Sequence, residues 1–424
     1  MTNMLSNILA TKNLKLFLIA FGFLFLYLIS GTIISCVFIT SIYLTVLLCL
    51  YLLNKIESKK TLKFFSNYSV PLAFLLLIIL NFSGQINTLT GINEEKQTVV
   101  IYLAMPFYLL SAFSYISDCA DQRNRNLQFN INAFDLLLYI VLPFKLLSGP
   151  IENPSLMKKF DSIKIITTSH RLFSSLSWIV LGAFMKFVIG NRLAPAQMIS
   201  FDNPLMSFLC ATIFELKFYF DFAGYSFLAY GFASLFNIQI SKNFNHPFTS
   251  HNVVKFWQNW HITLGKFLQK YILHKFIFGI KSRNFKAIFA CFIFVVSALW
   301  HGITFNYLLW GLFHGIIYYM YVQYIKHLSI PKFIGFSSMF LFFVFGRFLA
   351  IDSNGSRLLG KISNFFDFNS YTDFNQSEID FASNFFNIGN WGFIFAIMLA
   401  IIFIFFEFIQ KNNNKNKYSY FRKP

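Results

Sequence analysis

The chain carries a long run without any charged residue near its N-terminus. From Phe17 to Leu53 every residue is uncharged, whereas a membrane-spanning helix needs only about 20 apolar residues. The run is therefore too long for one crossing, and it predicts two helices that break near Ser30-Gly31. Because it lacks a small-residue cleavage site, we expect it to be retained and not removed as a signal peptide.

The composition of the whole chain is that of a membrane protein. Hydrophobic residues make up 56% of it, charged residues 12%, and the mean hydropathy is +0.57, far from the mixture of a soluble domain. We predict an all-α polytopic membrane protein, a single domain over residues 1–424 with about eleven transmembrane helices plus re-entrant or short helices. The re-entrant candidates are residues 133–150 and 240–280. The other candidate helices cover residues 68–84, 99–117, 172–190, 205–237, 287–300, 304–326, 333–350 and 386–408.

The formal net charge of +18 indicates topology and does not favour nucleic-acid binding. Lysines collect in short loops, as at Lys55, Lys59, Lys60 and Lys63, and such clusters are typical of cytosolic loops. Lysines near both termini favour an even number of crossings, so an odd count of helices requires a re-entrant segment. The acidic segment 350–385 is expected on the non-cytosolic side, as a solvated loop or as a docking site for a partner.

Charged residues recur inside an apolar segment at Glu215, Lys217 and Asp221. An ionisable group within a membrane span costs about 2.5–3.5 kcal/mol, so it needs a pairing or a functional explanation. Lys217 and Asp221 are four residues apart and can pair on one helix face, whereas Glu215 and Lys217 do not share a face. Asp221 is thus either half of a buried ion pair or a substrate contact.

Histidines stand in two further polar clusters. One contains His261, and the other is Trp300-His301-Gly302 between two apolar runs. A neutral imidazole there can take a proton from a hydroxyl, which makes His301 a candidate general base. A single intramembrane histidine is also common as a hydrogen-bonded packing residue, so the residue alone does not decide between the two.

Other kinds of site find less support. A metal site at His261, His301 and His314 is not favoured, because no carboxylate or cysteine stands at a ligand spacing. No Gly-x-Ser-x-Gly elbow suggests a serine hydrolase. A transporter or flippase would also place charges inside the membrane and stays an alternative, although the chain shows no internal repeat of the kind common in transporters.

Four short motifs occur in a fixed order and together resemble the membrane-bound O-acyltransferase family, with a motif-bearing core over residues 99–326. They are Asp221-Phe222-Ala223-Gly224-Tyr225-Ser226, Asn243-Phe244-Asn245-His246-Pro247-Phe248, Phe256-Trp257-Gln258-Asn259-Trp260-His261 and Trp300-His301-Gly302. The resemblance implies helices that form a tunnel through the membrane around a central histidine. It implies His301 as the catalytic base and His261 as the second catalytic histidine. The substrate or tunnel residues it suggests are Asp221, Tyr225, Asn243, Asn245, Trp257, Trp260, Trp300 and Asn306.

Within the family, residues 186–195 look like the branch of the alginate O-acetylase membrane subunit, whereas the motifs at 221–226 and 243–248 are equally similar to the D-alanyl transfer protein of teichoic acids. Both imply a multi-pass protein of the bacterial cytoplasmic (inner) membrane. The implied reaction moves an acyl group, acetyl in the favoured branch, to a hydroxyl of a cell-envelope polysaccharide or to a relay partner such as an extracytoplasmic acyltransferase. The implied donor is a cytosolic thioester, acetyl-CoA or acyl-carrier phosphopantetheine, with no tightly bound cofactor and no metal.

The chain departs from the family pattern at two places. The family usually has arginines where this chain has Gln258 and Asn259, and an Arg-Asp pair where it has Gln269-Lys270. Lys255, Lys266 and Lys270 can supply point charges there, but without the bidentate geometry of arginine. We therefore expect the contacts to a phosphate-bearing donor or carrier to differ from those of the family.

Overall fold

The computed structural model describes residues 2–30, 33–89, 96–127, 132–145, 149–166, 168–198, 201–277, 279–299, 301–351, 355–376, 378–380, 383 and 391–413. Its regular secondary structure over these residues is helical. The α-helices are α1 Thr2–Ser30, α2 Ile34–Lys55, α3 Lys59–Leu89, α4 Lys96–Asn124, α5 Ala133–Val141, α6 Ser169–Ala183, α7 Pro204–Leu235, α8 Val253–Asn259, α9 Ile262–Leu268, α10 His274–Ile277, α11 Arg283–Leu299, α12 Phe305–Gln323, α13 Lys332–Ile351, α14 Gly355–Asn364 and α15 Trp391–Asn413. Two π-helical turns, Phe184–Gly190 and Gln269–Leu273, interrupt this pattern.

Six helical segments among the described residues are long and apolar enough to cross a membrane. Less than half of each is buried inside the protein, which leaves apolar faces for contact with lipid. The uncharged N-terminal run divides as predicted, since α1 ends at Ser30 and α2 begins at Ile34. The chain is a multi-pass membrane protein, and the count of about eleven spans stays a prediction. The six segments are Ala10–Leu28, Cys36–Lys55, Lys59–Ile79, Ser169–Ala194, Lys332–Ala350 and Gly392–Lys411.

The chain forms two compact units, and the expectation of one domain over residues 1–424 stays a prediction. Unit 1 comprises residues 1–179, 226–242 and 263–279. In it α1 packs closely on α5, where a Cβ on Gly22 would stand 2.2 Å from the carbonyl oxygen of Val141. With 9 residues α5 is about 14 Å long, roughly half of a bilayer core. The described part of the segment predicted to be re-entrant, residues 133–145 and 149–150, contains this short helix and the 3-10 turn Pro143–Lys145.

Unit 2 comprises residues 180–225, 243–262 and 280–424. Its helices α11 and α12 form a tight hairpin, because Gly311 and Gly315 present no side chain to Val295 and Cys291. This hairpin fixes the turn that carries His301.

The acidic segment 350–385, expected to be a loop, contains regular structure in unit 2. It includes α14 and the 3-10 turn Phe368–Tyr371. The carboxylate of Glu378 accepts backbone N–H groups of Asp202, Asn203 and Asn375, each at 2.9 Å. A carboxylate that ties three backbone donors orders this segment.

Candidate active site

His261 lies between α8 and α9 in a strained backbone conformation. Its φ is +43°, a left-handed conformation that is uncommon outside glycine and clusters at functional sites. Backbone hydrogen bonds on both sides hold it there. The N–H of Ile262 donates to the carbonyl of Asn243 at 2.9 Å, and the N–H of Asn245 donates to the carbonyl of Asn259 at 3.0 Å.

The imidazole of His261 is oriented by a side chain of the 243–248 motif. Its Nδ1 lies 3.0 Å from Oδ1 of Asn243, and Asn243 is 1% exposed. Because an amide oxygen can only accept, Nδ1 carries the hydrogen and Nε2 keeps its lone pair. Phe222 packs edge-on against the ring at 4.8 Å. The predicted residue Asn243 is thus a positioning residue for His261.

His301 lies in the turn between α11 and α12. Its backbone N–H donates to the carbonyl of Ala298 at 3.0 Å, and its ring stacks 6.2 Å from that of Tyr307. The residue keeps contact with solvent, yet the protein around it removes enough water to lower the pKa of its imidazole. A base that is neutral at pH 7 and still accessible suits proton abstraction.

The two predicted catalytic histidines both belong to unit 2 and lie within electrostatic range of each other. Both lie outside the six candidate spans. Burial is the first cause that lowers the pKa of His261, and the charge that His301 would carry is the second. The ring of His261 therefore lies within the electrostatic field of His301, although forty positions separate the two residues in the sequence.

An ion pair beside His301 was missed by sequence reasoning. Nε of Arg347 on α13 donates to Oε2 of Glu215 on α7 at 2.7 Å, with both side chains largely buried. The guanidinium lies 4.6 Å from the centre of the Phe218 ring. After burial, Arg347 is the second cause of the lowered pKa of His301. An arginine within an otherwise apolar helix was the signal that could have revealed it.

Asp221 is part of an ion-pair cluster. It lies 3.6 Å from Lys217, the predicted partner one turn away, and more closely pairs with Lys186 of the π-helical turn, which was not predicted. The Lys186 ammonium lies 4.6 Å from the centre of the Tyr225 ring. The ion-pair interpretation of Asp221 is confirmed, and Tyr225 belongs to the same cluster.

His314 is packed into the bundle. It is 3% exposed, its Nδ1 lies 3.0 Å from the carbonyl of Trp310, and its ring stacks 4.1 Å from Trp310. A Cβ on Gly346 would stand 2.4 Å from its Cε1. These contacts are those of a packing residue. The described residues contain no group of three His, Cys, Asp or Glu side chains placed to hold a metal ion.

The remaining predicted residues separate into different environments. Trp260 is 7% exposed and packs among aromatic rings such as Phe244 at 5.1 Å. Asn245 is exposed and its amide pairs with Asn259 at 3.3 Å. Asn306 is buried, Trp257 is partly buried, and both have polar atoms without a hydrogen-bond partner among the described residues. Trp300 lies outside the described residues.

Comparison with known proteins adds independent evidence on the family of the chain. A model of the membrane-bound O-acyltransferase family matches residues 23–321. Over 299 residues the chain is 27% identical to the peptidoglycan O-acetyltransferase of Helicobacter pylori. The matched segment covers 62% of this chain and 56% of that protein. Over 199 residues it is 31% identical to the teichoic acid D-alanyltransferase of Bacillus subtilis, covering 43% and 50% respectively.

A third relative is a probable alginate O-acetylase of Pseudomonas aeruginosa. It is 27% identical over 223 residues, which cover 51% of this chain and 42% of that protein. The chain spans about half the length of the curated relatives it matches. The resemblance that the ordered motifs carry is confirmed.

Proposed function

The chain belongs to the membrane-bound O-acyltransferase family, and from this premise we propose that it transfers an acyl group from a thioester to a hydroxyl of a cell-envelope polysaccharide or of a relay partner. The observation that supports the proposal is that His301, an accessible neutral base, lies within electrostatic range of His261, which Asn243 orients. Neither member of such a pair needs a metal or a tightly bound cofactor for acyl transfer.

In the proposed reaction, His301 removes the proton of the acceptor hydroxyl as its oxygen attacks the thioester carbonyl. The C–S bond then breaks, and the imidazolium returns the proton to the leaving thiolate, so that one ester and one thiol are formed. His261, with its hydrogen on Nδ1, presents the Nε2 lone pair and can accept a hydrogen bond from the acceptor. The arrangement holds both groups in place before the substrates bind, which lowers the entropic part of the barrier.

The charges around the histidines favour an uncharged acyl group, acetyl, over D-alanyl. A D-alanyl group carries an ammonium, which is most stable beside an unpaired carboxylate. The two carboxylates described on α7 in unit 2 are already neutralised, Glu215 by Arg347 and Asp221 by Lys186 and Lys217. D-Alanyl transfer to a teichoic-acid-type polymer is the alternative, and a transporter or flippase without acyl chemistry is the alternative of another class.

The donor and the location follow from the same proposal. The donor is a cytosolic acyl thioester, either acetyl-CoA or an acyl-carrier protein bearing phosphopantetheine. The protein would sit in the bacterial cytoplasmic membrane, with the acceptor polymer or an extracytoplasmic acyltransferase on the other side. Transfer of the acyl group across the bilayer then explains why the base lies in a multi-pass protein.

His301→Ala tests the catalytic assignment. We expect a loss of acylation of about 10²–10⁴-fold, because the general base is removed. The measurement is the acyl ester that mild alkali releases from envelope polysaccharide of cells making wild-type or variant protein, with mass spectrometry to tell acetyl from D-alanyl. His274→Ala is the matched control, since His274 is an exposed histidine of unit 1.

Two outcomes would contradict the proposal. Full acylation by a His301→Ala protein that accumulates normally would remove His301 from catalysis. Purified protein in vesicles that moves a labelled donor across the membrane without covalent turnover would identify a transporter.

A further inference from the structure

The C-terminal helix α15 contains a buried carboxylate. The segment Gly392–Lys411 has the highest mean hydropathy of the six candidate spans, 2.7, and Glu407 near its end is only 4% exposed. Ionisable side chains within a span are costly and usually serve pairing or function. Neither the ordered motifs nor the proposed reaction accounts for Glu407, so its role has to be found in the groups that it contacts.

One oxygen of this carboxylate connects α15 to two other parts of unit 2. Oε1 of Glu407 accepts the hydroxyl hydrogen of Tyr219 on α7, at 2.5 Å. Nδ1 of His246 lies 3.2 Å from the same Oε1, within ion-pair distance but outside hydrogen-bond geometry. His246 belongs to residues 243–249, which we call the motif loop. Glu407 thus contacts both α7 and the motif loop.

Lys411, one turn after Glu407, holds the same loop at a second point. Its Nζ donates to Oγ1 of Thr249 at 2.6 Å, and the Thr249 hydroxyl donates to the carbonyl oxygen of His246 at 2.6 Å. The φ of His246 is +51°, a left-handed conformation that residues other than glycine rarely adopt. Two charged side chains of α15 therefore fasten the motif loop at its strained residue.

Contacts continue from Glu407 to His261 without a break. The Tyr219 ring packs edge-on against Phe244 of the motif loop, with ring centres 5.8 Å apart, and Phe244 packs edge-on against Phe222 at 5.0 Å. Phe222 in turn contacts the ring of His261. Asn243, the residue before Phe244, orients the imidazole of His261 through Oδ1. A shift of the motif loop would therefore move Asn243 and, with it, the imidazole that it orients.

We propose that Glu407 is a positioning residue for His261 and acts through the motif loop and Asn243. The carboxylate fixes the loop so that Oδ1 of Asn243 stays within hydrogen-bond distance of Nδ1, which keeps Nε2 of His261 directed at the acceptor. Without Glu407 the loop takes more than one position, and the productive one is occupied less often. This inference rests on the proposed function, because it concerns the orientation of a histidine in that reaction.

The test measures kcat and KM of the purified full-length protein in detergent. Acetyl-CoA or an acetylated carrier protein is the donor, whichever the wild type uses, and isolated envelope polysaccharide is the acceptor. Transferred acetyl is measured as alkali-labile ester per folded protein. We expect Glu407→Leu to lower kcat about tenfold and to change KM for the donor less than about twofold, because a positioning loss acts on the reacting group and not on donor binding.

Two milder variants show which atoms matter. Glu407→Gln keeps an oxygen that accepts the Tyr219 hydroxyl, so its kcat should stay within about twofold of the wild type. Tyr219→Phe keeps the ring and removes only that hydroxyl, and we expect it to lower kcat about fivefold. If Glu407→Leu does not accumulate as folded protein, Tyr219→Phe replaces it in the experiment that follows.

A double-variant cycle separates positioning from a general effect on folding. Asn243→Ala removes the residue through which Glu407 is proposed to act. In that background Glu407→Leu should lower kcat by less than about a further twofold, because the two changes interrupt one chain of contacts. If Glu407→Leu lowers kcat by the same factor in both backgrounds, its effect does not pass through Asn243 and the proposal is wrong.

Phe403→Leu is the matched control on α15, one turn before Glu407. The Phe403 ring packs edge-on against Phe220 of α7 at 5.4 Å, so the variant loosens α15 and keeps the contacts of Glu407 and Lys411 with the motif loop. It should lower the stability and leave kcat unchanged. A loss of kcat equal to that of Glu407→Leu would show that any loosening of α15 has this effect, and it would overturn the proposal.

The outcomes separate the positioning role from the proposed function. If the wild type transfers acetyl and Glu407→Leu keeps the wild-type kcat, the positioning role is wrong and the acyltransferase proposal stands. If the wild type transfers acetyl from neither donor, the proposed function fails and the positioning role fails with it.

Discussion

Both units contain buried polar side chains, but the hydrogen bonding of these side chains differs between the units. In unit 1, Ser111, Ser114 and Ser117 of α4 are at most 1% exposed, and we call them the serine face. The Ser117 hydroxyl donates to the carbonyl of Ser66 at 2.7 Å and accepts from Lys275 at 2.6 Å. Lys145 donates to Ser111 at 3.2 Å. In unit 2, by contrast, Nδ2 and Oδ1 of Asn306 and Nε1 of Trp257 have no hydrogen-bond partner among the described residues.

The contrast separates groups that hold the fold from groups that await a ligand. A buried network in which each member is paired makes the packing specific, and breaking it leaves its partners unsatisfied. Unpaired buried groups destabilise the folded state until something binds them. Three further buried polar atoms lack a hydrogen-bond partner among the described residues: the hydroxyl of Tyr108, one turn before Ser111, Nδ1 of His246 and Oε2 of Glu407. Asn306 differs from these residues because both polar atoms of its side chain are unpaired.

The variant with the largest expected effect tests whether the pairing of a buried polar group or its location in the fold decides how much the group stabilises the protein. The Glu215–Arg347 pair lies in unit 2 beside His301, yet it is satisfied. If pairing decides, Glu215→Leu should lower the free energy of unfolding by about 3–5 kcal/mol, because it leaves a largely buried guanidinium without its carboxylate. The free energy of unfolding is measured by denaturing the protein in detergent and monitoring the loss of its tertiary-structure signal.

The double variant Glu215→Leu with Arg347→Met is the control for that experiment. It removes both charges and should recover most of the lost stability. A Glu215→Leu protein as stable as the wild type would break the comparison, since a paired group would then behave like an unpaired one.

A smaller effect is expected on the serine face. Ser117→Ala removes a fully buried hydroxyl, so the Ser66 carbonyl and Lys275 each lose a partner. We expect a loss of about 1–3 kcal/mol in unfolding free energy, with kcat for acyl transfer unchanged. Ser338→Ala on the exposed side of α13, where the hydroxyl bonds only to its own helix at Ile334, should change the stability by less than about 0.5 kcal/mol. Equal effects for the two serines would show that burial does not govern the cost.

Sequence reasoning found the contacts that are local or belong to a continuous pattern. The division of residues 17–53 into α1 and α2 follows from length alone. The Lys217–Asp221 pair follows from the helical spacing of four residues. The family was recognised because its motifs are short and uninterrupted.

Contacts between distant residues were not accessible in the same way. Arg347 pairs with Glu215 across 132 positions, and nothing in either segment selects the other. Lys186 reaches Asp221 from a π-helical turn that no periodicity predicts. Asn243 and Asn306 were both predicted as substrate or tunnel residues, yet the structure gives one a partner and leaves the other without one. Whether a polar group is satisfied depends on the whole fold, and composition does not report it.

The smallest expected effect concerns the stability of the Asn306→Leu protein. Leucine has nearly the shape of asparagine and brings no polar atom, so the replacement removes the cost of burying an unpaired carboxamide. We expect the free energy of unfolding to stay the same or to rise by about 1 kcal/mol, opposite in sign to Ser117→Ala. Both variants are measured by thermal unfolding in one detergent without donor. A loss as large as that of Ser117→Ala would mean that Asn306 already has a partner in the folded protein, such as bound water, and the distinction between Asn306 and the serine face would fail.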